Sequence, residues 1–267
     1  MQAAKTMLPC LAVLGLLAGC SPQPPAAVNA AAGAEAAAGQ AYRPAPELLG
    51  GGGASDGQLQ LYGSAAPGAV VRLSSPSGAN QFATADARGV WGIVLPASAE
   101  PRLLGLSMSD DGRVVQAVDF LFVAPDRSVV RLRAGGGTRA AAPAKPGLAA
   151  LALDYDNQRA ATLSGVAGPH EAVTLRVDGV ERGQANADAG GRFVLPLSQQ
   201  LAAGSHDFDL EGVAQEVRFS VSVNAPASLG KTRFAAVRAG QGWRIDWLTL
   251  GGGEQTTLIL GPPGIAS

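Results

Sequence analysis

Two stretches of this chain read alike at a fixed offset of 102 residues, and that repeat restricts the fold more than any other feature. Leu61, Gly63, Ala65, Pro67, Val71 and Leu73 recur as Leu163, Gly165, Ala167, Pro169, Val173 and Leu175. Ala83, Ala85, Asp86, Ala87 and Gly89 recur as Ala185, Ala187, Asp188, Ala189 and Gly191, and Trp91, Ile93 and Leu95 recur as Phe193, Leu195 and Leu197. The match runs without a gap over more than 30 residues. Solenoid units are roughly 20–50 residues long, so a period near 100 specifies two tandem copies of one domain.

Within each copy the apolar residues alternate with polar ones, which is the period of a half-buried strand. Val71 and Leu73 flank Arg72; Val173, Leu175 and Val177 flank Thr174 and Arg176; Val118, Phe120 and Phe122 compare with Val217, Phe219 and Val221. Turn residues fall between these runs at Pro67-Gly68, Ser77-Gly78, Asp111-Gly112, Asp178-Gly179 and Glu211-Gly212. No segment after residue 40 carries a helical stripe over three turns. Short strands with turns every ~8–12 residues predict an all-β chain built of β-sandwiches. The glycine and proline content agrees, since 36 + 18 = 54 of 267 residues is a fifth of the chain, against roughly 12% in ordinary proteins.

The first twenty residues, MQAAKTMLPCLAVLGLLAGC, place one cation at Lys5 ahead of an apolar run over residues 7–17. That is the form of a secretory signal, and the run falls short of the ~20 residues a spanning helix needs. Leu17-Ala18-Gly19-Cys20 resembles the lipobox of bacterial lipoproteins. The resemblance implies that residues 1–19 are removed and that Cys20 carries a diacylglyceryl group, so that the lipid bilayer is a partner. Ser21 stands where Asp would resemble an inner-membrane retention signal, which makes the outer membrane the expected location. Cys10 would leave with the signal, so the mature chain has no thiol for a disulfide. Losing Lys5 leaves 20 − 1 = 19 basic against 21 acidic residues, a formal charge of −2. Such a balance excludes a nucleic-acid binder held by phosphate neutralisation.

Low-complexity sequence divides the remainder. Residues 20–41 read as a flexible tether, 42–133 as the first domain, 134–147 as a linker and 148–224 as the second domain. Residues 163–197, LSGVAGPHEAVTLRVDGVERGQANADAGGRFVLPL, resemble the bacterial immunoglobulin-like domains of envelope proteins, with His170 where that pattern has its second glycine. Residues 61–95 resemble them too, with SPSG in place of the VDG hairpin. The resemblance implies two tandem immunoglobulin-like β-sandwiches in an extracytoplasmic setting, and no activity. Residues 225–267 have another texture. Trp243, Ile245 and Trp247 alternate with Arg244, Asp246 and Leu248, then Gly251–Gly253 precede an alternation of Thr256, Leu258 and Leu260. This reads as a β-hairpin, too small for its own core and therefore docked on the second domain. Its tryptophans have two readings: rings buried by that docking, or a candidate partner surface formed by Trp243 and Trp247.

Residues able to carry chemistry are sparse. His170 and His206 are the two histidines, and nothing shows the spacing of HExxH or of a G-x-S-x-G elbow. No metal site, cofactor or catalytic residue is expected. Asp154-Tyr155-Asp156-Asn157 has oxygen ligands at an interval calcium sites use, and Asp207 with Asp209 would share one strand face; Asp and Asn equally initiate turns. Asp86 and Asp188 each stand three residues before a glycine, as a turn requires. The chain is therefore expected to be a non-catalytic binding or scaffold module with an envelope protein or glycan partner. An envelope spacer and, more remotely, a hydrolase with an interdomain site are the alternatives.

Overall fold

A computed structural model describes residues 43–135, 137–141 and 147–261. The signal, the tether and Cys20 lie outside the described residues. The first copy contains β1 (Glu47–Gly53), β2 (Leu59–Ser64), β3 (Val70–Ser74), β4 (Asn80–Thr84), β5 (Val90–Leu95), β6 (Arg102–Asp110) and β7 (Arg113–Val123), followed by β8 (Val129–Leu132) and β9 (Arg139–Ala140). The second contains β10 (Ala149–Asp156), β11 (Ala161–Val166), β12 (Ala172–Val177), β13 (Val180–Asn186), β14 (Arg192–Pro196), β15 (Gly204–Glu211) and β16 (Glu216–Val223). The terminal segment adds β17 (Phe234–Ala239), β18 (Gly242–Leu248) and β19 (Glu254–Ile259).

Both copies fold with one topology. In the first, strands β1-β2-β5 face β4-β3-β6-β7; in the second, β14-β11-β10 face β13-β12-β15-β16. All pairings are antiparallel. This is a seven-strand immunoglobulin-like sandwich, made twice. Alternation sends Leu61, Val71, Trp91, Leu106 and Leu121 into the first core, and Leu163, Val173, Phe193, Phe208 and Val221 into the second. The corner between β4 and β5 repeats bond for bond. Asp86 Oδ1 accepts from the Arg88 and Val90 amides at 2.8 Å, and Asp188 Oδ1 accepts from those of Gly190 and Arg192 at 2.9 Å. Ala65 N donates to Gly89 O and Ala167 N to Gly191 O.

Each copy carries strands beyond the shared set, and these lie on opposite sides of the repeat. In the first, β8 and β9 extend the sheet beyond β7; in the second, β19, β18 and β17 extend it beyond β10. The two resulting six-stranded sheets pack face to face. Leu103, Phe122, Val130 and Leu132 from one meet Ala152, Trp243, Ile245, Trp247 and Ile259 from the other in a third apolar core. The described residues thus form four stacked sheets with three cores between them.

Three expectations change here. Val118, Phe120 and Phe122 are not the counterparts of Val217, Phe219 and Val221. The first core takes Leu121 and Val123 from β7, while Phe120 and Phe122 lie on the opposite face and Val118 is exposed. A strand covered on both faces offers two apolar alternations one residue out of phase, and the aromatic one marks the outer face. The segment expected as a linker is partly structural, because Arg139 and Ala140 pair with β8. The terminal segment has three strands rather than the two of a hairpin, with β17 at the sheet edge.

Candidate functional site

The contact between the sandwiches, which we call the seam, is where the sequence's most unusual residues converge. Residues 243, 245 and 247 of β18 point into it, while Arg244 and Asp246 point to the other side. Trp243 and Trp247, the candidate partner surface, are 6% and 1% exposed. They are not an exposed platform. Each ring meets a phenylalanine of β7 edge-on, Trp247 with Phe120 and Trp243 with Phe122, both at 5.7 Å between centroids. Edge-to-face aromatic pairs gain ~0.5–1.5 kcal/mol beyond the area they bury. The Arg238 guanidinium lies 4.3 Å from the Trp243 ring centre and reaches across to Asp126 of the first copy at 3.2 Å.

A polar network threads the same layer. Asp154 on β10 is buried, and its carboxylate accepts the Thr138 amide at 2.7 Å and the Thr138 hydroxyl at 2.8 Å. The Thr257 hydroxyl donates to it at 2.5 Å and the Gln255 amide at 3.4 Å, both from β19. Thr257 in turn accepts the Trp247 indole N–H at 3.1 Å. Linker, first strand and last two strands of the second sandwich are so joined through one carboxylate. Burial pushes the Asp154 carboxyl above the usual carboxylate range, opposed by the hydrogen bonds from Thr257, Thr138 and Gln255. On the other side of β18, Arg244 holds Asp246 through two bonds of 3.0 Å, and the Thr256 hydroxyl donates to the same carboxylate.

The remaining candidate groups are engaged in turns and pairs. Asp156 Oδ1 accepts the Gln158 and Ala160 amides at 2.8 and 3.0 Å, the turn chemistry that competes with calcium ligation. Asp207 accepts from Ser220, and Asp209 lies 3.6 Å from Arg218. Among the described residues no three of His, Cys, Asp or Glu are grouped to hold a metal ion. His170 occupies a turn at φ 60°, where Gly68 of the first copy has φ 77°. His206 Nδ1 lies 2.7 Å from Asp178 and Nε2 lies 3.0 Å from the Ala202 carbonyl. An acceptor at each nitrogen favours the protonated ring. The Asp178 hydrogen bond raises the His206 pKa, and the His206 bond lowers that of Asp178. The nitrogen that would serve a nucleophile faces main chain instead, so this Asp-His pair is structural.

No protein-family model matches this chain, and no curated protein matches it. Solved structures similar to it include the BSP domain of a biofilm associated protein, at 12% identity and TM-score 0.25, over 68% of this chain and 30% of that one. A central fibronectin-III array of RIM-binding protein matches at 12% identity and TM-score 0.28, over 83% of this chain and 87% of that one. Invasin, a bacterial integrin-binding protein, matches at 10% identity and TM-score 0.21, over 81% of this chain and 54% of that one. The chain thus spans less than a third of the biofilm protein and about half of invasin. The fold assignment rests on strand order and not on likenesses of this degree.

Proposed function

We propose that the protein is a lipid-anchored, non-catalytic binding module of the bacterial envelope. The observation that carries this reading is the seam: Trp243, Trp247, Phe120 and Phe122 are used to lock two sandwiches into one body. A stiff body with open strand edges and end loops suits recognition. Its buried carboxylates and its Asp-His pair are consumed by structural bonds, which leaves no acid, base and nucleophile converging among the described residues. Anchoring is supported by the signal-like run and the Leu17-Ala18-Gly19-Cys20 motif, ahead of a low-complexity stretch that would hold the body off the bilayer. Among the described residues no helix is long and apolar enough to cross a membrane.

Two measurements test the proposal. Wild-type protein should fractionate with outer membranes after salt washing and Cys20→Ser should not; retention of the variant refutes lipid anchoring. Crosslinking in intact envelopes should recover a stoichiometric complex, whereas an empty result favours the envelope spacer.

A further inference from the structure

One end of the seam opens into a cleft of about 290 Å³. Its walls come from both sandwiches: Ser74 and Gln116 of the first, Arg233 and Thr249 of the terminal segment, with Phe120 between them. Among the described residues, Arg233 is the one cation of the lining, and no carboxylate joins it there. The chain as a whole is weakly acidic, with a formal charge of −1, so a concave site whose described lining holds a cation and no carboxylate is a local departure from the average. Phe120 is fixed from behind by its edge-on contact with Trp247, and its ring is only partly buried. Gln116 and Arg233 are exposed.

We propose that this cleft binds an acidic glycan, a saccharide bearing a carboxylate on or beside its ring. An apolar ring face packs on the C–H face of a sugar, a guanidinium matches a carboxylate through two parallel hydrogen bonds, and hydroxyl and amide groups serve the sugar hydroxyls. All three chemistries occur on one wall-to-wall surface whose halves come from different sandwiches, so the site exists because the seam holds them together. The assignment rests on the binding-module reading and names its ligand class.

The purified full chain is titrated with a tetragalacturonate and, separately, with the neutral maltotetraose, binding being followed by calorimetry. The acidic oligosaccharide should bind and the neutral one should bind at least tenfold more weakly. Arg233→Ala should weaken the acidic ligand at least tenfold and Gln116→Ala several-fold, while Arg113→Ala, an exposed arginine outside the cleft, should change nothing. Failure of the wild type to bind the oligouronate, equal binding of the neutral sugar, or equal losses in Arg233→Ala and Arg113→Ala each overturn the assignment. A protein complex recovered from envelopes alongside any of those results leaves the binding module standing and removes only the glycan.

Discussion

Gly63 and Gly165 sit at equivalent points of the two copies, opposite Trp91 and Phe193 on the neighbouring strand. A β-carbon at 165 would stand 2.2 Å from the Ala149 carbonyl oxygen and 2.5 Å from the Phe193 ring. Backbone on one side and a packed ring on the other leave nothing cheap to move. Gly165→Ala is therefore expected to cost about 1–3 kcal/mol, as overpacked cores do, read as a lowered denaturation midpoint; an unchanged midpoint would mean β10 shifts freely. A second residue-scale effect belongs to His206. Its raised pKa stabilises the fold below the ordinary histidine value of 6.5, and that contribution fades as pH rises through the raised value. Asp178, with its lowered pKa, acts in the opposite sense, contributing above 3.8 and losing its effect as pH falls through its folded value. His206→Gln should thus be less stable than wild type in mildly acidic buffer, with the gap closing as pH rises through the raised histidine value. Thermal melts across that range check it, and a gap independent of pH would show that packing, not charge, holds the pair.

At the scale of the element, Asp154 decides how the last strand is held. β19 pairs with β10 from Ala152↔Ile259 to Asp156↔Gln255, and the carboxylate adds Thr257 and the linker's Thr138 to that ladder. Asp154→Ala leaves the buried Thr138 amide and hydroxyl without acceptors, at an expected cost of about 1–3 kcal/mol. Amide exchange should report it as lost protection at Thr138 and along β19 before the β12–β15 ladder is affected; uniform loss would mean the network is not local. What was legible beforehand follows the same scale. Asp86, Asp188 and the glycines after them read correctly as turns because an Asx turn is settled by four or five consecutive residues. The sandwich strands read correctly because alternation is local as well. The network did not, since Thr138, Asp154 and Thr257 are separated by 16 and 103 residues and none has an unusual neighbourhood in sequence. β7 was misread for a related reason: its two faces carry Phe120, Phe122 and Leu121, Val123 in opposite phase, and only the second sandwich explains the aromatic set.

For the whole molecule the question is whether two sandwiches behave as one. Tandem domains on a glycine-rich linker unfold independently by default, because interfaces between them are small and polar. Here the facing surfaces are apolar and aromatic, and of the strands that make them β6–β8, β10 and β19 also wall the individual cores, while β17 and β18 give their apolar residues to the seam. Loosening the seam therefore exposes the backs of both six-stranded sheets, which couples the two cores thermodynamically. Trp247 joins the aromatic layer to the polar network, since it packs on Phe120, bonds Thr257 and through it reaches Asp154. Replacing a buried tryptophan by alanine costs about 3–5 kcal/mol, and in this position the loss falls on the interface rather than on either sandwich alone. Wild type should melt in a single calorimetric transition whose enthalpy matches its van't Hoff value. Trp247→Ala should melt in two, with the second sandwich first because it carries the damaged sheet. A variant that still melts in one step, merely at lower temperature, would show that the seam is a contact between domains already joined by β9 and the Asp154 network, and would move the origin of the coupling from the aromatic layer to the linker.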